Sequence, residues 1–319
     1  MPASSPPGTV ITIGNFDGVH LGHVALLARA RELGRELAGP GGRVVAMTFD
    51  PHPTAVLRPG TEPLRVEPVS IRRDRLASYA DEVVTLDPRN GMLKLSPRAF
   101  ISAVVERYRP SAMVEGPDFH FGVKRAGTPA VLESLGREFG FRTVIEHPVE
   151  LGIPDGTLVR ASSTLIRWFI RHGRVADAAS LLGRPVELRG TVVQGDRRGR
   201  TVGFPTANLS LGSDWASVVL PKDGVYAGTA VLPDARRVPA MVNIGTRPTV
   251  AGQDHRIEAH LLLGSNASWS PIAGLPEYGW SMRLELRAWL RDQVKFHAFG
   301  ALVEQLHRDR ERAAVLALT

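Results

Sequence analysis

No cysteine occurs in the 319-residue chain. That excludes disulfides, zinc–thiolate sites, iron–sulfur clusters and any thiol nucleophile, so a metal, if used, is bound through oxygen or imidazole nitrogen. Long apolar runs are also missing. No window holds the ~18 apolar residues of a membrane span, and the opening MPASSPPGTVITIG has neither the basic stretch nor the apolar core of a secretory leader. The cytoplasm is the expected location, and no membrane partner is expected. Lysine is scarce, limited to Lys94, Lys124, Lys222 and Lys295, so arginine carries the net charge of +7. The arginines lie singly or in pairs (Arg72 and Arg73, Arg197 and Arg198, Arg236 and Arg237), with no RNA-recognition or helix-turn-helix signature beside them. No nucleic-acid partner is expected; biased composition and anionic small substrates account for the charge.

With 43% hydrophobic and 22% charged residues the chain falls in the globular class. At roughly 100–200 residues per domain, its length suits two domains. From Thr9 to about Val149, strand-like runs (TVITIG, RVVAMTF, EVVTL, AMVEG, RTVIEHPV) alternate with amphipathic stretches such as HVALLARARELGRELA, SPRAFISAVVERY and PAVLESLGREFG. This rhythm predicts an α/β, Rossmann-like domain with right-handed crossovers on a parallel sheet. Two more helices, STLIRWFIRHG and VADAASLLG, follow. After Arg184 and Pro185 the texture changes to short β-branched or alternating runs (VELRGTVVQG, GVYAGTAVL, PAMVNIG, RIEAHLLL, SMRLELRAWL) separated by Gly, Pro and Asp. These predict a β-barrel closed by the helix FGALVEQLHRDRERAAVL. The expected domains are 1–184 and 185–319.

The densest chemical string is GNFDGVHLGH, from Gly14 to His23, at a strand-to-helix junction. In a parallel sheet that junction lies at the ligand edge, where a helix offers free N–H groups and its positive dipole end to an anion. Gly14, Gly18 and Gly22 allow a tight turn and close backbone approach. His20 and His23 can face the same phosphates, donating hydrogen bonds or neutralising a leaving pyrophosphate. Two histidines at a helix start can equally be exposed capping residues.

Three further segments fall near strand or helix ends. FDPHP, from Phe49 to Pro53, follows the second strand and contains His52. GPDFHFGVKRAG, from Gly116 to Gly127, follows AMVEG. Its Phe119 and Phe121 can cover an aromatic ligand while Asp118 fixes a polar edge, or both rings can simply anchor a loop on the core. ASSTLIR places Ser162, Ser163 and Thr164 at a helix start, with Arg167 on the same face as Thr164. This is either a second anion cradle or an ordinary serine N-cap beside a surface arginine.

The second half carries GRTVGFPTANL, from Gly199 to Leu209. Gly199 and Gly203 let backbone wrap a phosphate chain, and Pro205 stiffens the turn presenting Thr206 and Asn208, whose oxygens face one way on an extended segment. Mg²⁺ favours such oxygens together with nucleotide phosphates, which makes a kinase site plausible, although no Walker A loop is present. In IEAHLLL, alternation puts Ile257 and Ala259 on one face and Glu258 and His260 on the other. Periodicity alone assigns Glu258 to water.

GNFDGVHLGH is similar to the signature of nucleotidyltransferases. In its longer form it resembles the bifunctional bacterial riboflavin kinase and FAD synthetase family, whose DFxFG and SSTxIR motifs also have counterparts here. PTAN, GVYAG, NIGTRPT, IEAHLLL, EYG and LRDQVKF resemble the kinase module of that family, in its order. The resemblance covers nearly the whole chain. It implies that the first domain adenylylates FMN to FAD with release of pyrophosphate, and that the second phosphorylates riboflavin to FMN. ATP would be the co-substrate of both, with Mg²⁺ as cofactor. It implies catalytic roles for His20, His23, Arg167 and Glu258, the last as base. Gly14, Asn15, Phe16, Asp17, Gly22, Ser162, Ser163 and Thr164 would bind ATP phosphates in the first domain, and Gly199, Gly203, Pro205, Thr206 and Asn208 in the second. Thr206 and Asn208 would also hold the metal. His52, Asp118, Phe119, Phe121 and Arg291 would meet flavin. The family admits weak self-association, but no stretch here marks an interface. One departure is a lengthened loop over residues 264–276, expected to affect a lid over the flavin. The alternatives are another adenylylating enzyme of the superfamily, which would have no use for PTAN, a nucleotide or flavin sensor with one decayed site, and an RNA-binding protein, whose retention on a nucleic-acid column would vanish with salt.

Overall fold

The computed structural model describes residues 8–201, 203–249, 252–263 and 272–317. By contacts the chain divides into two units, Met1–Leu151 with Leu158–Ser163, and Gly152–Thr157 with Thr164–Thr319.

The first unit runs β1 (Thr9–Gly14), α1 (Leu21–Ala38), β2 (Arg43–Phe49), α2 (Pro53–Leu57), α3 (Val69–Ala77), β3 (Glu82–Leu86), α4 (Pro97–Tyr108), β4 (Ala112–Glu115), α5 (Pro129–Phe139) and β5 (Arg142–Ile145), then the strands β6 (Glu150–Gly152) and β7 (Leu158–Arg160). Its five-stranded sheet has the order β3-β2-β1-β4-β5 and is parallel throughout. Because side chains alternate along a strand, each strand feeds two cores. Val10, Val44, Ala46, Ala112 and Val114 pack under Leu27, Ala30 and Leu33 of α1 and Leu76 of α3. Ile11, Ile13, Val45, Met47 and Met113 pack under Phe100, Ile101 and Val104 of α4 and Leu132 and Leu135 of α5.

The strand order reverses between β1 and β4, which is where a doubly wound sheet opens a crevice. Their parallel pairing runs Val10 to Ala112 and Ile11 to Met113. Two residues on, the Glu115 side chain replaces a main-chain acceptor: its Oε1 takes the Ile13 N–H at 2.7 Å, and the strands part. Glu115 is 2% exposed, and this burial pushes its carboxyl well above the usual carboxylate range despite the hydrogen bond from Ile13.

The second unit begins with α6 (Ser163–Arg171), whose first residue belongs to the first unit, and α7 (Val175–Leu182). It continues β8 (Val186–Val193), α8 (Arg198–Thr201), β9 (Ala207–Leu211), β10 (Gly224–Val231), β11 (Arg237–Thr249), β12 (Gly252–Leu261), β13 (Ser281–Arg291) and α9 (Phe299–Leu316). The strands close a barrel in the order β10-β11-β12-β9-β8-β13. Phe204, Val225, Ala227, Met241 and Leu290 pack with Ala313 of α9, so the helix covers part of the barrel's outer wall. The contact division falls earlier than the texture change near residue 184. Helices α6 and α7 pack in the barrel unit: Ile170 O accepts from Lys222 N, and Arg174 Nη2 meets Asp155 Oδ2 at 2.7 Å, drawing residues 152–157 along. Texture marks where strands begin, whereas contacts mark where helices are buried. Of the loop 264–276, residues 264–271 lie outside the described residues.

The Glu115 wedge has a pH signature. A carboxyl with a raised folded-state pKa costs the native state nothing while protonated, and costs more as pH climbs through and above the ordinary carboxylate range. Glu115→Gln keeps the acceptor for Ile13 N–H and never ionises. The variant is expected to melt at a higher temperature than the parent at pH 7.5, with the gap closing toward pH 4.5. Calorimetry across that range checks it, and a pH-independent gap would contradict the raised pKa.

Candidate active sites

In the first unit, α1 opens without a side-chain cap and without an acidic residue in its first turn. By contrast, α4 and α5 are capped by Ser96 and Thr128, which accept from Ala99 N and Val131 N. The first N–H groups and positive dipole end of α1 are therefore offered to an anion. His20 is its N-cap residue. The His20 and His23 rings stack with centroids 3.6 Å apart, and Phe16 sets an edge against His23 at 5.2 Å. A Cβ on Gly22 would lie 3.0 Å from His20 Cε1, so glycine there leaves the stack its room. Phe16 and Val19 adopt positive φ of 47° and 35°, backbone strain concentrated in the loop that carries the histidines.

Neighbouring groups lock this loop. Asp17 is 6% exposed; its Oδ1 accepts from Val66 N at 2.8 Å and its carbonyl accepts from Ser163 Oγ at 2.8 Å. Asp17 and Ser163 therefore hold the loop. The Asn15 carbonyl accepts from Thr48 Oγ1 and Arg72 Nη1, both at 3.0 Å, while Arg72 Nη2 donates to Phe49 O at 2.9 Å. Arg72 is a buried guanidinium that ties the GNFD and FDPHP segments together, and burial draws its pKa below the ordinary arginine value. The sequence reading noted it only as one of a charge pair. His52 Nδ1 accepts from Thr54 N as the α2 cap, and its Nε2 lies 3.1 Å from the Asn15 side-chain amide. Thr164 and Arg167 fall in the second unit, where Arg167 Nη2 donates to Thr164 Oγ1 at 3.1 Å. Ser162 directly precedes α6.

The two phenylalanines of GPDFHFG separate in role. Phe121 is 6% exposed and belongs to the core beneath α4, so it anchors the loop. Phe119 is half-buried and stacks on it at 5.2 Å, leaving Phe119 as the more open of the two rings. Asp118 is exposed and pairs with Arg160.

In the second unit a cavity of about 850 Å³ lies on the outer barrel wall beside α9, lined among others by Gly199, Thr206, Asn208, Glu258 and Arg291. Glu258 pairs directly across strands with Asn208. The face assigned to water by alternation is thus a cavity wall. Ile257 and Ala259 are buried on the opposite face, while Glu258 and His260 face the cavity. Period-two alternation cannot distinguish solvent from a second layer supplied by a distant helix. His260 Nδ1–H donates to Pro205 O at 2.8 Å, fastening the Thr206 turn to the Glu258 strand, and burial lowers the pKa of His260. Gly203 adopts φ 79° just before Phe204. Arg291 lines the cavity but is committed by two nitrogens to Asp309, a fully buried residue of α9. Glu277 of EYG accepts from Arg200 at 2.6 Å, which holds its carboxyl below the usual range. Asn243, Gln293 and His260 also line the cavity; none of the three carries a site role in the sequence reading, although each lies in one of its motifs.

Among the described residues no group of three or more His, Asp or Glu could hold a metal. The cavity lining includes instead the neutral side-chain oxygens of Thr206 and Asn208 and the carboxylate of Glu258, while a second lining carboxylate, Asp196, is paired with Arg256. That set suits Mg²⁺, which keeps several waters and takes most remaining ligands from phosphates.

Two family models match consecutive parts of the chain: FAD synthetase over residues 3–156 and riboflavin kinase over residues 182–317. The bifunctional riboflavin kinase/FMN adenylyltransferase of Escherichia coli strain K12 is 36% identical over 305 residues, covering 95% of this chain and 90% of the relative. That of Pseudomonas fluorescens is 34% identical, covering 97% and 93%. A crystal structure from Streptococcus pneumoniae, described as a macrolide-efflux protein, superposes with a TM-score of 0.83 at 30% identity, covering 98% of this chain and 95% of that one. No helix among the described residues is long and apolar enough to cross a membrane. With both family models in the expected order and full-length relatives above 30% identity, the chain belongs to the bifunctional riboflavin kinase/FMN adenylyltransferase family.

Proposed function

We propose that the chain converts riboflavin to FMN in its barrel and FMN to FAD in its parallel-sheet domain, using one ATP at each step, in the cytoplasm. The kinase activity is assigned to residues 185–319 and the adenylyl transfer to residues 1–184. The observation that carries the reading is the cross-strand pair of Glu258 with Asn208 on the wall of one cavity.

In the barrel, Glu258 accepts the proton of the ribityl 5′-hydroxyl as that oxygen attacks the γ-phosphorus of ATP. A phosphorus–oxygen bond forms to the flavin and the β–γ bridge breaks, leaving ADP. Thr206 and Asn208 are the residues that would hold Mg²⁺, which when bound neutralises charge on the phosphates. His260 keeps the Thr206 turn in register with Glu258 through Pro205.

In the parallel-sheet domain no covalent intermediate is needed. The FMN phosphate oxygen attacks the α-phosphorus of ATP and pyrophosphate leaves with the bridging electrons. The N-terminus of α1, His20 and His23 surround the phosphates and stabilise charge on the leaving group. Phe119 supplies an aromatic face for the flavin, with Phe121 supporting it from the core.

Incubation with riboflavin, ATP and Mg²⁺, followed by chromatography of the flavins, is expected to show FMN first and FAD later. Chelation of divalent cations is expected to stop both conversions, and undiminished FMN formation in excess chelator would remove the metal from the reading. His23→Ala is expected to slow FAD formation from supplied FMN by roughly a hundredfold or more while riboflavin phosphorylation proceeds. Glu258→Gln is expected to do the reverse, lowering FMN formation by roughly 10²–10⁴-fold with adenylyl transfer intact. Loss of both activities in either variant would contradict two separate sites.

A further inference from the structure

One line of register partners crosses the barrel wall through the cavity. Arg291 on β13 opposes Val225 on β10, Val225 opposes Asn243 on β11, Asn243 opposes Glu258 on β12, and Glu258 opposes Asn208 on β9. All five line the cavity. Directly opposed residues project from the same face with Cβ atoms about 4.5–5.5 Å apart. Glu258 therefore stands between two amides, of which Asn208 belongs to the phosphate side and Asn243 has had no role.

The orientation of the Asn243 amide follows from Gln293, just beyond β13. One nitrogen, Gln293 Nε2, lies 3.0 Å from the Ile244 carbonyl and 2.9 Å from the Asn243 side chain. A main-chain carbonyl only accepts, so the Gln293 atom facing it is the NH₂ group. The Asn243 atom meeting that same NH₂ is then the amide oxygen. In the strand order β13-β10-β11-β12, Gln293 follows the strand beyond β10, whereas Glu258 belongs to β12 on the other flank of β11. With its oxygen engaged by Gln293, Asn243 has only its NH₂ left to offer the neighbouring strand, where Glu258 is its register partner. On the β10 side its register partner is the apolar Val225, so no other member of the row competes for that donor. Gly245 makes room for the latch, since a Cβ there would lie 2.5 Å from Gln293 Nε2.

We infer that Asn243 is a positioning residue of the kinase reaction: oriented by Gln293, its NH₂ donates to the Glu258 carboxylate and aims it at the substrate hydroxyl. This rests on Glu258 being the base. A base free to rotate about its side-chain torsions spends most of its time misdirected, so the loss belongs in turnover rather than in substrate binding.

The test is a double-mutant cycle on the full chain, following FMN formation by single-turnover chromatography with enzyme in excess. Asn243→Ala is expected to lower kcat by roughly ten- to a hundredfold with the KM for ATP and riboflavin nearly unchanged. In a Glu258→Gln background the same substitution is expected to cost little more, because its effect passes through the carboxylate. Gly245→Ala, which displaces Gln293 while leaving Asn243 and Glu258 in place, is expected to give a smaller loss of the same kind. The near-normal KM values report that the barrel is folded. Wild-type kcat in Asn243→Ala, an equal loss in both backgrounds, or a loss confined to KM would overturn the inference. Wild-type turnover in Glu258→Gln alone would instead overturn the assignment of the base.

Discussion

Strand register in the barrel is the constraint on which the kinase site depends. Because successive side chains point to opposite faces, a slip of one residue between β11 and β12 would exchange Glu258 and His260 for Ile257 and Ala259 on the cavity wall. The penalty for such a slip is large, since it would bring a carboxylate and an imidazole to the face where Ile257 and Ala259 are 2% and 0% exposed. Hydrophobic packing, which carries no chemistry, is therefore what keeps the polar row of Asn243, Glu258 and Asn208 aligned. The hydrogen bond from His260 to Pro205 transmits the same alignment to the turn that carries Thr206.

The parallel-sheet unit solves a different problem. Its ligand edge needs an opening between strands that elsewhere pair tightly, and Glu115 maintains that opening by supplying a side-chain oxygen where a main-chain carbonyl would otherwise close the ladder. Arg72 works in parallel on the other side of β1, holding the carbonyls of Asn15 and Phe49. Both are ionisable groups buried in positions that a propensity argument gives to apolar residues. Their cost is tolerated because each satisfies main-chain groups that the divergence of the strands leaves exposed.

Much of this was legible in the sequence. The run RVVAMTF is β2 from end to end, and the closing amphipathic stretch is α9 from Phe299 to Leu316, because long or strongly patterned segments reveal their period. The strand β9 was not legible as such. Ala207–Leu211 carries a polar motif whose strand character comes from pairing with β8 and β12, a tertiary effect. Alternation gave the face of Glu258 to water, whereas it lines a cavity, since a helix some forty residues later adds a second layer over the outer wall. Arg72, Glu115 and Gln293 left no local signal, because each acts on backbone brought near by the fold rather than by the chain. Of the aromatic pair, Phe119 is the more open ring and Phe121 belongs to the core, a separation that only geometry makes.

The ion pair of Arg291 with Asp309 ties the last helix to the wall of the barrel cavity. Asp309 is fully buried and accepts from the Arg291 guanidinium at the end of β13 and from Gln305 Nε2, so removing the arginine would strand a buried carboxylate with a single neutral donor. Farther along, Thr229 Oγ1 of β10 donates to Ala317 O, fastening the final described turn to the barrel. Recombinant fusions at the carboxy end would thus load a segment wired to the barrel cavity, through Asp309 to Arg291 and through Ala317 to Thr229.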